Sequence, residues 1–280
     1  MTDPNIPMTM GAEAFMATAK PSTASHSGND ATAVRIAAEL RDIVRDAAMN
    51  APRQVQVHLG PSELGVECDR QVVHKLLQLP DTNHVVDPWP SIVGTAVHAW
   101  LDTTFTNAQP AGRWLPERKV APTDEHPGTA DLYDAHNFRV IDHKCLGSST
   151  HDKLRTQGPP RHYFVQLLLY ALGYIRAGYR VDSIAIAAWP RTGSSLAGLY
   201  VWHHVITADD WRLVEQVLAE TKTRKDYAAL VQAGAITISQ VPRTPSDGCY
   251  FCPAYRPEAA HDGGPGCPGQ NVTTGPFPTS

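Results

Sequence analysis

The sequence predicts an α/β fold with a mixed central sheet flanked by helices. Up to residue 105 the apolar residues recur at helical spacing, whereas over 118–144 they fall in short runs of period two. A strongly apolar helix, two more strand-like runs and a long helix follow, an order that places helices around one sheet.

Residues 1–30 are rich in Ser, Thr, Ala, Pro and Gly and are expected to be disordered. A helix capped by Asp30 carries Leu40, Ile43, Val44 and Ala47 on one face until Asn50-Ala51-Pro52 stops it. "PSELGVECDRQVVHKLLQL" (61–79) predicts a second helix, with Val72, Val73, Leu76, Leu77 and Leu79 on one side, and "SIVGTAVHAWLDTTF" (91–105) a third. Strands are predicted at 118–122, 129–135 and 138–144, the last two joined by a hairpin turn at "DAHN" (134–137). A helix at 161–178 ends at Gly178, strands follow at 183–190 and 198–206, and a helix at 207–234 runs from Thr207 to Gly234. The expected organisation is a disordered segment 1–30, a helix and linker 31–60, a central domain 61–241 and a cysteine-bearing tail 242–280.

The chain has 280 residues, 42% hydrophobic and 19% charged, the balance of a globular protein with a substantial core. Net charge is −4, so nucleic-acid binding would have to rest on a local basic surface. No run approaches the roughly 18 apolar residues of a membrane span. The N-terminus lacks the basic segment and apolar core of a secretory signal. The expectation is a cytoplasmic protein without a membrane partner, whose five cysteines stay reduced and serve as metal ligands or buried residues.

"RVIDHKC" (139–145) carries an acid and a base two residues apart at the end of an apolar run. On a strand Asp142 and Lys144 share a face and His143 points away. A four-residue loop at 134–137 would set Asp131 opposite Val140 and diagonal to Asp142, about 7 Å away between Cα atoms. Two such carboxylates can hold a divalent cation, and without one their repulsion favours protonation of one of them. A hard cation beside an ammonium suits attack on a phosphodiester: the metal acidifies water and Lys144 orients it or stabilises the phosphoryl oxygens. Taken alone, the pair also fits a surface salt bridge of little consequence.

"GTAD" (128–131) followed by "VIDHK" (140–144) resembles the core of the PD-(D/E)XK nuclease superfamily, whose first acid ends one strand and whose acid-x-lysine lies on the next. "QLLLY" places Gln166 and Tyr170 one helical turn apart, similar to the QxxxY motif of the RecB-like branch. "GTAVH" (94–98) resembles that branch's Gly-xxx-His helix, and Glu117 falls where the branch often carries an acid. The resemblance implies a restriction-endonuclease-like core in which His98, Asp131, Asp142 and the carbonyl of His143 hold Mg²⁺ or Mn²⁺. It implies Lys144 as the catalytic ammonium, with Gln166 and Tyr170 supporting substrate and lysine; the imidazole tilts the preference toward Mn²⁺.

Cys249 and Cys252 form a Cys-x2-Cys knuckle, Cys267 follows, and Cys68 lies far upstream in "SELGVECDR". One cysteine before the nuclease motifs and three after them resembles the iron–sulfur exonucleases of the same superfamily. These include the exonuclease associated with CRISPR adaptation, nuclease domains of recombination helicase–nucleases, and phage exonucleases. The implied cofactor is a 4Fe-4S cluster clipping the tail to the N-terminal helices. The wide Cys252–Cys267 spacing, with His261 inside it, leaves a zinc site built with Cys267 or His261 as the alternative. Cys145 reads as a small buried residue on the opposite strand face.

Lys153, Arg155, Arg161 and His162 fall in a Gly/Pro-bearing loop expected at the mouth of the site, with Arg113, Arg118, Lys119 and Arg191 as further basic residues. Contacts there would be to phosphate, salt-sensitive and largely independent of sequence. The resemblance thus implies a metal-dependent DNA exonuclease acting on single-stranded ends, with partners in recombination, replication, repair or CRISPR adaptation. The alternative is a non-catalytic DNA-binding or assembly module that keeps the fold and cluster.

Overall fold

The computed structural model describes residues 31–50, 59–83, 87–262 and 265–270, apart from the side chains of Met49, Asp247, His261 and Asp262. The expected disordered segment 1–30 and the side chain of His261 lie outside the described residues. The chain divides into two compact units, Met1–Ala51 and Pro52–Ser280. Helix α1 (Ala31–Met49) belongs to the first unit, close to the bounds expected for it.

The second unit is built on a five-stranded sheet in the order β1-β2-β3-β4-β5: β1 Trp114–Val120, β2 Gly128–Asp134, β3 Arg139–Leu146, β4 Ser183–Pro190, β5 Tyr200–Val205. The first three strands form an antiparallel meander, β3 and β4 are parallel, and β5 is antiparallel to β4. The mixed sheet expected from the sequence is therefore present, with β3 in its centre. The first six residues of β4, "SIAIAA", are all buried, as a strand covered on both faces requires.

Between β3 and β4 lie α5 (Ser148–Gln157) and α6 (Arg161–Arg176). Helix α6 packs the length of its apolar surface between the sheet and α7 (Ala208–Gln232). On the sheet's other face, α4 (Trp89–Thr106) stacks Phe105 on the His143 ring at 5.6 Å. Among the described residues no helix is long and apolar enough to cross a membrane.

Three expectations are corrected. The single helix expected over 61–79 is broken into α2 (Pro61–Leu64) and α3 (Asp69–Leu76). At the break the backbone passes so close to α6 that a Cβ on Gly65 would lie 2.8 Å from His162 Cα. The carbonyls there are turned to arginines instead of helical amides: Leu64 and Val66 accept from Arg224 at 3.1 and 2.8 Å, Gly65 from Arg161 at 3.2 Å. Second, the hairpin turn lies one residue later than expected, because Asp134 stays paired with Arg139 and its carboxylate accepts from the amides of His136 and Asn137. Third, residues 148–157 form α5 where a loop was expected; Leu154 is its one buried residue, so the apolar period was too weak to read.

Arg224 holds this architecture together. It is 2% exposed, pairs with Asp69 at 2.7 Å, and ties α7 to the α2–α3 break. Arg224→Met should destabilise the protein by about 3–5 kcal/mol, because Asp69 and two turned carbonyls lose their partner. Urea unfolding of the variant beside the wild type measures this.

The tail docks on the α3 region through backbone groups. The Arg70 amide donates to Pro242 at 2.9 Å, and the amides of Thr82 and Asn83 donate to Pro253 at 2.9 and 3.0 Å. Within the tail, residues 247–251 form a 3₁₀ turn and Tyr255 pairs with Cys267.

Candidate active site and metal centre

The β2–β3 register pairs Leu132 with Ile141 and Tyr133 with Val140; continued one step past its last pair, it sets Asp131 against Asp142 rather than diagonal to it. The one-residue shift of the turn moves every later pair by two and closes the carboxylates up. Asp142 is 2% exposed, a location a carboxylate tolerates only with partners. Gln166 supplies one, donating from Nε2 to Asp142 Oδ1 at 3.0 Å, while its Oε1 accepts from Lys144 Nζ at 3.2 Å. Lys144 Nζ also lies 2.8 Å from Asp142 Oδ2, a charge contact off hydrogen-bond geometry. One amide thus fixes both members of the pair.

Burial works against the Lys144 ammonium, but Asp142 and Asp131 outweigh it and raise its pKa. Lys144 is therefore charged at neutral pH. Its ammonium sits 4.6 Å over the ring of Tyr163, a cation–π contact that no motif or spacing in the chain foretells. Tyr170, one turn beyond Gln166 and 5% exposed, has its hydroxyl held protonated by burial and by Asp142.

Burial and the neighbouring Asp142 push Asp131 up to about 8, against a hydrogen bond from the His143 amide at 2.6 Å. Asp131, His98 and Glu117 bring ligand atoms within 4.8 Å of one another. His98 Nδ1 lies 3.7 Å from Asp131 Oδ1, and burial lowers its pKa, leaving a neutral ring suited to a metal. Asp142, turned toward Gln166 and Lys144, is not part of this group.

Glu117 is the member that sequence reasoning left out of the ligand set. It lies on β1 opposite Asp131, between the pairs Pro116–Leu132 and Arg118–Ala130, with a left-handed φ of 47°. Such a conformation is uncommon for a residue with a Cβ, and here it interrupts the ladder at the acid. Its position in "WLPERKV" was the available signal.

His143 turns to the opposite face, as strand alternation predicts, and is packed by Phe105 and Trp189. Burial, with His98 and Lys144 nearby, lowers its pKa to about 4, so the ring is neutral.

The four cysteines Cys68, Cys249, Cys252 and Cys267, far apart in sequence, line one cavity of about 740 Å³. Burial pushes the Cys252 thiol up to about 11. A Cβ on Gly269 would meet Cys249 Cβ at 3.0 Å, so the chain closes tightly around the knuckle. Cys145 lies outside the cavity lining, half-buried on β3, with its thiol pushed up by burial.

The basic residues divide. Lys153 and Arg161 line the same cavity, as does His162, but Arg161 is spent on Glu220 at 2.9 Å. Arg155 is exposed on α5 and pairs with Asp152 at 3.1 Å. Arg113 clamps Asp134 with two 3.1 Å bonds, Arg118 lies over the Tyr179 ring, and the Arg191 amide donates to Leu146.

No protein-family model and no curated protein matches this sequence. Solved structures do match in part. The alkaline exonuclease LHK-Exo from Laribacter hongkongensis is 9% identical, covering 64% of this chain and 93% of its own, with a TM-score of 0.46. SSO0001 is 15% identical over 78% of this chain and 93% of its own, with a TM-score of 0.43. A phage-related exonuclease from Haemophilus somnus 129PT is 11% identical over 59% of this chain and 81% of its own, with a TM-score of 0.41. Likeness at this level leaves the chemistry to be argued from the side chains.

Proposed function

We propose that the protein is a divalent-metal-dependent deoxyribonuclease, an exonuclease acting on single-stranded DNA ends. The observation that carries this reading is the buried Asp142–Gln166–Lys144 array beside the convergent His98, Glu117 and Asp131. The donor set, two carboxylates and a neutral imidazole, fits Mg²⁺ or Mn²⁺, with the imidazole favouring Mn²⁺. When bound, such a cation supplies Lewis acidity, acidifying water and offsetting phosphate charge. Asp142, whose charge acts on Asp131, and the His143 carbonyl would complete the proposed ligand set.

Lys144 acts as an ammonium, because its raised pKa keeps the proton on at neutral pH. It donates to the attacking water or to the phosphoryl oxygens, while Gln166 and Tyr163 hold it in place. Tyr170 supports Gln166 and the substrate. Degradation of end-labelled single-stranded and duplex DNA in Mn²⁺, with and without chelator, tests the proposal. Loss of full-length label in Mn²⁺, abolished by chelator, supports it; intact DNA in both Mn²⁺ and Mg²⁺ sinks it.

The raised Asp131 gives a pH dependence. In the ion-free fold it holds a proton that the unfolded chain releases above about 4, so its contribution to stability is lost as pH rises through about 8. Ion-free protein should therefore unfold at lower urea as pH goes from 5 to 8, and Mn²⁺ should flatten that trend. Binding of Mn²⁺ at pH 7 should release about one proton into weak buffer, and Asp131→Asn should release none. Glu117→Gln should weaken Mn²⁺ binding at least about tenfold by calorimetry.

We further propose that the four thiols hold a 4Fe-4S cluster. What supports the cluster is that all four cysteines, far apart in sequence, line one cavity, with the Cys-x2-Cys knuckle among them.

A further inference from the structure

Phe251 lies between the two cysteines of the knuckle and is 69% exposed; its neighbour Tyr250 is 49% exposed. Their rings meet edge to face at 5.2 Å, and Tyr250 leans on Tyr255 at 6.3 Å. Two adjacent aromatics held rigidly in water on a 3₁₀ turn contribute little to the core, and an exposed apolar pair of this kind marks a binding surface.

Phe251 also lines the cavity that the cysteines share, as does Tyr163, whose ring lies 4.6 Å from the Lys144 ammonium. Tyr163 thus links the platform's cavity to the catalytic lysine. Among the described residues the cavity walls carry Arg70, Lys153, Arg161 and Arg243 against one carboxylate, Glu67. Arg70 is spent near the sulfurs, 3.9 Å from Cys267 Sγ, and Arg161 on Glu220. Arg243 donates to the neutral carbonyl of Gly269 and so keeps its charge. Phosphate-binding charge and an exposed π face along one channel are what an extended single strand needs, and what stacked duplex bases cannot use.

We propose that Phe251, backed by Tyr250, is a stacking platform for a base of single-stranded nucleic acid on its way to Lys144. This rests on the nuclease reading of that site. The contact is with a base face, so it is indifferent to sequence, and Arg243 holds a flanking phosphate.

The test uses the full chain with its cluster intact, checked by visible absorbance, in Ca²⁺ so that the strand is bound without cleavage. Fluorescence anisotropy follows an oligothymidylate of about 12 nucleotides and a matched strand of abasic residues. Wild type is expected to bind the abasic strand about tenfold more weakly. Phe251→Ala should lose that preference by weakening the thymidylate about tenfold, and Phe251→Trp should keep it. The wild-type comparison needs no variant and stands even where Phe251→Ala loses its cluster. Equal binding of both strands by wild type overturns the platform, as does a Phe251→Ala variant that keeps its preference for bases. Those results leave the nuclease reading standing if DNA is still degraded in Mn²⁺. Absence of binding to either strand, with no degradation in Mn²⁺, overturns both.

Discussion

Lys144→Met is expected to lower DNA degradation in Mn²⁺ by a factor of about 10²–10⁴, the range for losing a positioned proton-transfer or charge-stabilising group. The same change has a structural cost that must be separated from the chemical one. Asp142 is 2% exposed and faces Asp131, so removing the ammonium leaves a buried carboxylate beside a second one. Breaking such a pair costs about 3–5 kcal/mol. The sign with pH follows from the pair. In the wild type the raised Lys144 pKa means its stabilisation is present throughout the range below 10.5 and is lost only above it. In the variant Asp142 is relieved by protonation or by a cation, so the deficit should be largest at alkaline pH without metal and smallest in acid or in Mn²⁺. The double variant Lys144→Met/Asp142→Asn removes both charges and should recover most of the stability while staying inactive. Rates on labelled DNA and urea midpoints for wild type, both single variants and the double decide this. Activity within tenfold of wild type in Lys144→Met would remove the lysine from the mechanism.

The parts of this site legible in the sequence are those set by local geometry. Strand alternation put Asp142 and Lys144 together and His143 behind them, and helical spacing put Gln166 and Tyr170 on one face of α6. What could not be read depended on individual side-chain contacts, several of them between distant segments. The β2–β3 register turned on one side chain, because Asp134 caps the turn while still pairing with Arg139. Glu117 joins the metal group through a left-handed residue in a strand, which no propensity would suggest. The break at Gly65 exists because α6 passes so close that a Cβ there would lie 2.8 Å from His162 Cα, and two arginines take its carbonyls. Tyr163 reaches Lys144 from the first turn of α6, outside the sequence signals at 142–144 and 166–170.

If the four thiols hold the proposed cluster, Cys252→Ser is expected to remove it and, with it, a constraint closing a very long loop. Cys68 and Cys249 are separated by about 180 residues. Cross-linking a loop of that length is worth about 5 kcal/mol in a chain-entropy treatment. Without it the tail is held by hydrogen bonds: the Arg70 amide to Pro242, the Thr82 and Asn83 amides to Pro253, the Asn83 side chain to the carbonyls of Tyr250 and Cys252, and Thr244 to the Glu67 carbonyl. These bonds contribute on the order of 1 kcal/mol each. Wild type purified without oxygen should be brown, with iron and acid-labile sulfide in equal amounts. The variant should be colourless, should unfold at markedly lower urea, and should be cut by protease between residues 242 and 270 while the sheet resists. The site at Lys144 lies outside the cluster, so the Mn²⁺ affinity of the surviving folded fraction should change little, whereas single-strand binding should fall because Phe251 and Arg243 ride on the released tail. A colourless wild type carrying one zinc per chain would replace the cluster by a single ion.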